Sequence, residues 1–92
     1  MHYVYILASR PHGALYTGLT SDIVLRVDQH RSGKGSRHTA RYEITTLVWF
    51  AAFQDVAEAA VMERRLKRWR RDWKFDLIEK ANPGWRDLSP SP

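Results

Sequence analysis

Two short β-forming runs separated by a breaker-rich pentapeptide constrain this chain most: YVYILA (Tyr3–Ala8), SRPHG (Ser9–Gly13) and ALYTGL (Ala14–Leu19). Both flanking runs are built from β-branched, aromatic and aliphatic residues, the composition of strands. Pro11 and Gly13 punctuate the segment between them. A connection this short predicts an antiparallel hairpin. Strand residues alternate faces, so Tyr3 and Tyr5 point one way and Val4 and Ile6 the other. Tyr16 and Gly18 likewise share a face, and Tyr5 and Tyr16 are expected as cross-strand neighbours.

After the hairpin the period changes. Thr20, Ser21 and Asp22 supply N-cap candidates for a helix over about Asp22–Arg31, which SGKG (Ser32–Gly35) ends. Ser36–Tyr42 is short and basic and has room for one helical turn. Thr45–Phe53 (TTLVWFAAF) reads as a third strand. Asp55 is placed to cap a long helix over about Val56–Lys80, with a break expected near Asp72 or Trp73. Asn82-Pro83-Gly84 stops it. The order β-β-α-β-α-α predicts an α+β fold: a three-stranded, at least partly antiparallel sheet with helices packed on it. The chain has 92 residues and is expected to hold one domain over residues 1–85, with residues 86–92 as a flexible tail.

Composition narrows the chemistry. There is no Cys, which excludes disulfides, thiol catalysis and thiolate metal sites and fits a cytoplasmic protein. No apolar run approaches the ~20 residues of a membrane span. Fifteen Lys and Arg against ten Asp and Glu give a net charge of +5, which points to an anionic partner such as nucleic acid.

The first helix carries Ile23, Val27 and His30 on one stripe, with Arg26 at its edge. Arg26 and His30 are an i, i+4 pair at the core boundary, where a cleft would lie. Arg offers a planar fork that suits phosphate, and His exchanges protons near neutrality. On the long helix, Ala59, Met62, Leu66, Trp69, Trp73 and Leu77 recur at spacings of three and four and form the expected buried stripe. Glu63 lies beside that stripe. It is placed either to pair with Lys67 at i+4 or to offer a hard oxygen to a divalent ion. Arg64, Lys67 and Arg71 fall on the opposite, solvated face. With Lys34 and Arg37 they form a candidate phosphate-contacting set. Taken one at a time, each of these residues is equally at home in ordinary packing or on a solvated face.

Their order is more specific. YVY at Tyr3–Tyr5, YTG at Tyr16–Gly18, Arg26, His30, the GKG of Gly33–Gly35 and Glu63 together resemble the GIY-YIG nuclease domain, over nearly the whole chain. The closest likeness is to small stand-alone bacterial members. Similar modules occur in DNA-repair incision enzymes, homing endonucleases and some restriction enzymes. The resemblance implies metal-dependent hydrolysis of a DNA phosphodiester with low sequence specificity, structure-specific and in repair or recombination. Tyr5 and Tyr16 would flank the attacking water, with one of them as base. Arg26 would hold the scissile phosphate, and His30 would touch the phosphate or assist proton transfer. Glu63 would be the one protein ligand of Mg²⁺ or Mn²⁺. Tyr3, Gly18 and Asn82 are further family-like positions, with Gly18 leaving space for a phosphate. An ordinary phenol is only about 0.1% ionised at pH 7, so a Tyr base needs a cation or a hydrogen-bond donor beside it. Some relatives place a Lys after the second motif, where this chain has Leu19. The competing readings are a nucleic-acid-binding module that does not cut, and a domain whose basic face meets an acidic protein. A protein partner that targets the domain to branched or single-stranded DNA would fit either nucleic-acid reading.

Overall fold

The hairpin forms as the alternation predicts, and its first strand is the central strand of the sheet. Strand β1 (His2–Ala8) pairs antiparallel with β2 (Leu15–Thr20) and, on its other edge, with β3 (Thr46–Phe53), giving the order β2-β1-β3. The sheet is therefore wholly antiparallel. The structure, a computed structural model, describes residues 1–33 and 37–89, with Arg37 and His38 as backbone only. Lys34 and residues 90–92 of the expected tail lie outside the described residues.

Between β1 and β2 the turn closes with Ser9 N–H on Ala14 O at 3.0 Å and Ala14 N–H on Ser9 Oγ at 3.0 Å. Helix α1 (Ile23–Arg31) starts at Asp22, whose carboxylate accepts from Leu25 N–H at 3.1 Å. A single turn, α2 (Arg37–Arg41), leads into β3. Helix α3 (Val56–Arg68) is capped by Asp55, which accepts from Ala57 N–H at 2.8 Å. Helix α4 (Arg71–Ala81) ends at Asn82.

The two sheet faces bury different helices. Val4, Ile6 and Ala8 pack with Ala59 and Leu66 of α3 and Ile78 of α4. Tyr5 and Leu7 face the other way, against Val27 of α1, Ile44 and Leu47. Among the described residues, no helix is long and apolar enough to cross a membrane.

Three expectations need correction. The long helix breaks earlier, at Trp69 and Arg70, both in extended backbone (ψ 147° and 152°). The break changes which residues α4 buries. Trp73, expected in the core, is 47% exposed, and Ile78 is buried in its place. Arg71 stays exposed, as expected, but is not free of contacts. Its guanidinium donates to the carbonyls of His12 and Gly13 and lies over the Phe75 ring at 5.0 Å. Finally, residues 86–89 of the expected flexible tail are tied down. Leu88 N–H donates to Leu47 O at 2.7 Å, and Arg31 pairs with Asp87.

Candidate active site

Strand register decides what can meet on the Tyr5 face. Tyr5 is directly opposite Gly18, and Tyr16 is opposite Leu7. The two tyrosines are thus diagonal neighbours on one face, with ring centroids 6.3 Å apart. A Cβ at residue 18 would lie 2.5 Å from Tyr5 Cζ and Oη. The space that Gly18 leaves is therefore filled by the Tyr5 phenol, not kept open for a phosphate.

Helix α1 brings Arg26 and His30 to the same place, as the i, i+4 spacing requires. Tyr5 Oη is 3.1 Å from His30 Nε2 and accepts from Arg26 Nε at 3.4 Å. Arg26 Nη1 donates to Gln29 Oε1 at 3.2 Å. The Tyr16 ring is 5.0 Å from the imidazole. His30 Nδ1 is 2.9 Å from Thr39 Oγ1, which α2 supplies.

The cluster has two tiers. Tyr5, His30 and Thr39 are 0%, 1% and 0% exposed, whereas Tyr16 and Arg26 are half-buried and reach solvent. Both ring nitrogens of His30 are engaged inside the protein, so the imidazole offers no free edge to a phosphate in this arrangement. Burial raises the Tyr5 pKa above its ordinary value; the Arg26 hydrogen bond opposes this, and the charges of Tyr16 and Glu63 add to it. Burial also lowers the His30 pKa, with help from the Arg26 charge. Arg26 is held more firmly charged by its bond to Tyr5, outweighing its own partial burial, with Tyr16 contributing.

Glu63 comes from α3, in the opposite layer, yet its charge reaches Tyr5. Its side chain is 20% exposed, and its carboxylate pairs with Lys67 Nζ at 3.2 Å, the i, i+4 bridge that the spacing allows. Among the described residues, no group of three or more His, Cys, Asp or Glu side chains gathers around a metal position.

The remaining candidates lie apart from this cluster or outside the described residues. Tyr3 packs edge-on against Phe50 at 6.3 Å. Asn82 is 5% exposed, and its amide is engaged by backbone: Nδ2 donates to Val48 O at 3.1 Å and Arg86 O at 2.9 Å, and Oδ1 accepts from Arg86 N–H at 3.1 Å. It clasps the C-terminal segment to β3. Arg64 and Lys67 are exposed on α3, and Lys34 and the Arg37 side chain are outside the described residues. Leu19 packs into the core on the α3 side, away from the Tyr5 face. Sequence reasoning missed Thr39 and Gln29. Thr39 is nine residues from His30, across a segment with no periodicity to link them. Gln29 lies three residues after Arg26, a helical spacing that could have been read.

Residues 1–76 match the family described as the GIY-YIG catalytic domain. The chain belongs to the GIY-YIG family. Similar proteins include a UPF0213 protein of Staphylococcus haemolyticus, 34% identical over 79 residues, covering 86% of this chain and 95% of the relative. A UPF0213 protein of Bacillus pumilus is 37% identical, covering 86% of this chain and 80% of its own. The solution NMR structure of a UPF0213 protein from Bacillus halodurans matches 98% of each chain at 34% identity, with a TM-score of 0.59. The GIY-YIG domain is in general a nuclease fold, and the two-tier cluster lies within the residues that match it.

Proposed function

We propose that this protein is a divalent-metal-dependent endonuclease that hydrolyses DNA phosphodiester bonds with low sequence specificity. The observation that carries the reading is the convergence of Tyr16 and Arg26, both reaching solvent, on a buried Tyr5–His30 support. Arg26 binds the scissile phosphate and offsets the negative charge that grows on its oxygens. Tyr16 is the phenol that water can reach; as its phenolate it takes the proton of the attacking water as the new P–O bond forms, while the bond from phosphorus to the leaving sugar oxygen breaks and that oxygen takes a proton from solvent. Tyr5 and His30 position Arg26 from below.

Glu63 suits a hard cation. Its half-buried carboxylate already attracts the Lys67 ammonium, and Mg²⁺ characteristically takes one or two carboxylates and completes its shell with water and phosphate. A bound Mg²⁺ or Mn²⁺ would supply Lewis-acid stabilisation to the phosphate oxygens.

Specificity follows from the surface. Arg64, Lys67 and the overall charge of +5 provide phosphate contacts, which hold DNA in place without reading its sequence. Branched or unpaired DNA, in repair or recombination, is the substrate this favours. The test is a cleavage panel of duplex, single-stranded, flap and branched DNA with RNA alongside, with Mg²⁺ or Mn²⁺, comparing wild type with Glu63→Ala. Metal-dependent cutting lost in the variant supports the reading. Salt-sensitive binding with no cutting by the wild type would instead favour a non-catalytic nucleic-acid-binding module.

A further inference from the structure

We propose that Thr39 is a positioning residue: its hydroxyl oxygen accepts the His30 Nδ1 proton and so completes a buried hydrogen-bond chain, Thr39–His30–Tyr5–Arg26, whose direction the arginine sets and which holds the arginine in place.

The direction follows from counting donors. Among the described residues, the Tyr5 hydroxyl has two hydrogen-bond partners, Arg26 Nε at 3.4 Å and His30 Nε2 at 3.1 Å. A guanidinium only donates. The phenol proton therefore has one acceptor, Nε2, which must carry no proton. A neutral imidazole with a bare Nε2 holds its proton on Nδ1. At 2.9 Å from Nδ1 stands Thr39 Oγ1. A hydroxyl can donate or accept, so Thr39 alone would allow either tautomer; the donor-only arginine at the far end removes the choice.

The opposite tautomer fails at Tyr5. It would aim two N–H groups at the phenol oxygen and leave the phenol proton without an acceptor. Tyr5 is 0% exposed, so no solvent water takes that proton, and a buried donor without a partner is destabilising. An imidazolium meets the same conflict, since both its nitrogens donate. Burial and the Arg26 charge oppose it as well.

Thr39 thus acts through His30 and Tyr5, without touching the substrate. Its hydroxyl holds the Nδ1 proton, which keeps Nε2 free to take the phenol proton. The phenol oxygen is then left with its lone pairs for Arg26 Nε. The catalytic consequence rests on the nuclease reading above; the tautomer does not.

The experiment is a long-range ¹H–¹⁵N correlation of the His30 ring in the ¹⁵N-labelled full chain, for wild type, Thr39→Ser and Thr39→Val. Wild type and Thr39→Ser are expected to be protonated at Nδ1. Thr39→Val, which keeps the shape but loses the acceptor, leaves one buried donor unpaired in either tautomer, so the Nε2-protonated form is expected to appear beside the Nδ1-protonated one. A wild-type ring protonated at Nε2 overturns the proposal, and so does a Thr39→Val ring indistinguishable from wild type. Should the valine variant not fold, Thr39→Ala is the acceptor-free comparison, read against the same two outcomes. In DNA cleavage, Thr39→Val should be slower by on the order of tenfold, a fraction of the ~10²–10⁴ that a direct acid–base group supplies, and Thr39→Ser should restore the rate. The expected tautomers with no cleavage by the wild type would support the chain and sink the nuclease reading.

Discussion

At the scale of single residues, Gly18 and Tyr5 behave as one unit. The phenol occupies the place of the missing side chain, and its hydroxyl is the junction between Arg26 and His30. Gly18→Ala should therefore displace Tyr5 and loosen Arg26. The expected loss is about 1–3 kcal/mol, the usual penalty for overpacking a core, measured by urea denaturation. His30 gives a second prediction, with a definite sign. Its folded pKa is below the ordinary 6.5, so the unfolded chain binds more protons between those two values. This contribution is fully favourable above pH 6.5 and is lost as pH falls through the window toward the folded pKa. Urea unfolding followed against pH should show that decline in wild type, and His30→Gln should lack it. Tyr5, Tyr16, Arg26 and His30 were legible in the sequence because strand alternation and the i, i+4 rule fix which side chains share a face. Thr39 was not, because no local period links it to His30, nine residues away. The role of Gly18 needed the register, which a period-2 pattern leaves undetermined.

The elements carry a different lesson, seen best in α3 and α4. Periodicity from Ala59 to Leu77 continues through Trp69 without a Gly or Pro to interrupt it, so the pattern reads as one stripe. The break at Trp69 and Arg70 lets Arg71 grip the hairpin turn and brings Ile78 into the core. Those tertiary contacts override the local pattern. The consequence is a contrast between two residues of the same apparent stripe. Leu66 is 0% exposed and Trp73 is 47% exposed. Leu66→Ala should cost about 2–5 kcal/mol. Trp73→Ala should cost about 1 kcal/mol, since it removes an edge-on contact with Trp69 and the Arg70 cation–π contact. Equal losses in denaturant melts would mean that α3 and α4 are one helix. The Asp22 and Asp55 caps, by contrast, were readable because a cap is a local event between neighbours in sequence.

At the scale of the whole molecule, the sheet separates two tasks. One face builds a core with α3 and α4, and the other holds the Tyr5 cluster under α1 and α2. Asn82 and the Arg31–Asp87 pair close the C-terminal segment over this frame. Element order and sheet class were legible from the run lengths, while the anchoring of residues 86–89 depended on partners in β3 and α1 that no local signal names. The central claim is that the cluster cuts DNA rather than merely holding it. The most direct measurement is single-turnover cleavage of the best DNA substrate with Mg²⁺ by wild type, Tyr16→Phe and Glu63→Ala, with binding followed separately by fluorescence anisotropy. Wild type is expected to cut in a metal-dependent way and both variants to be slower by at least ~10², with affinity retained. Undiminished cutting by either variant, or binding without any cutting by the wild type, would contradict the claim.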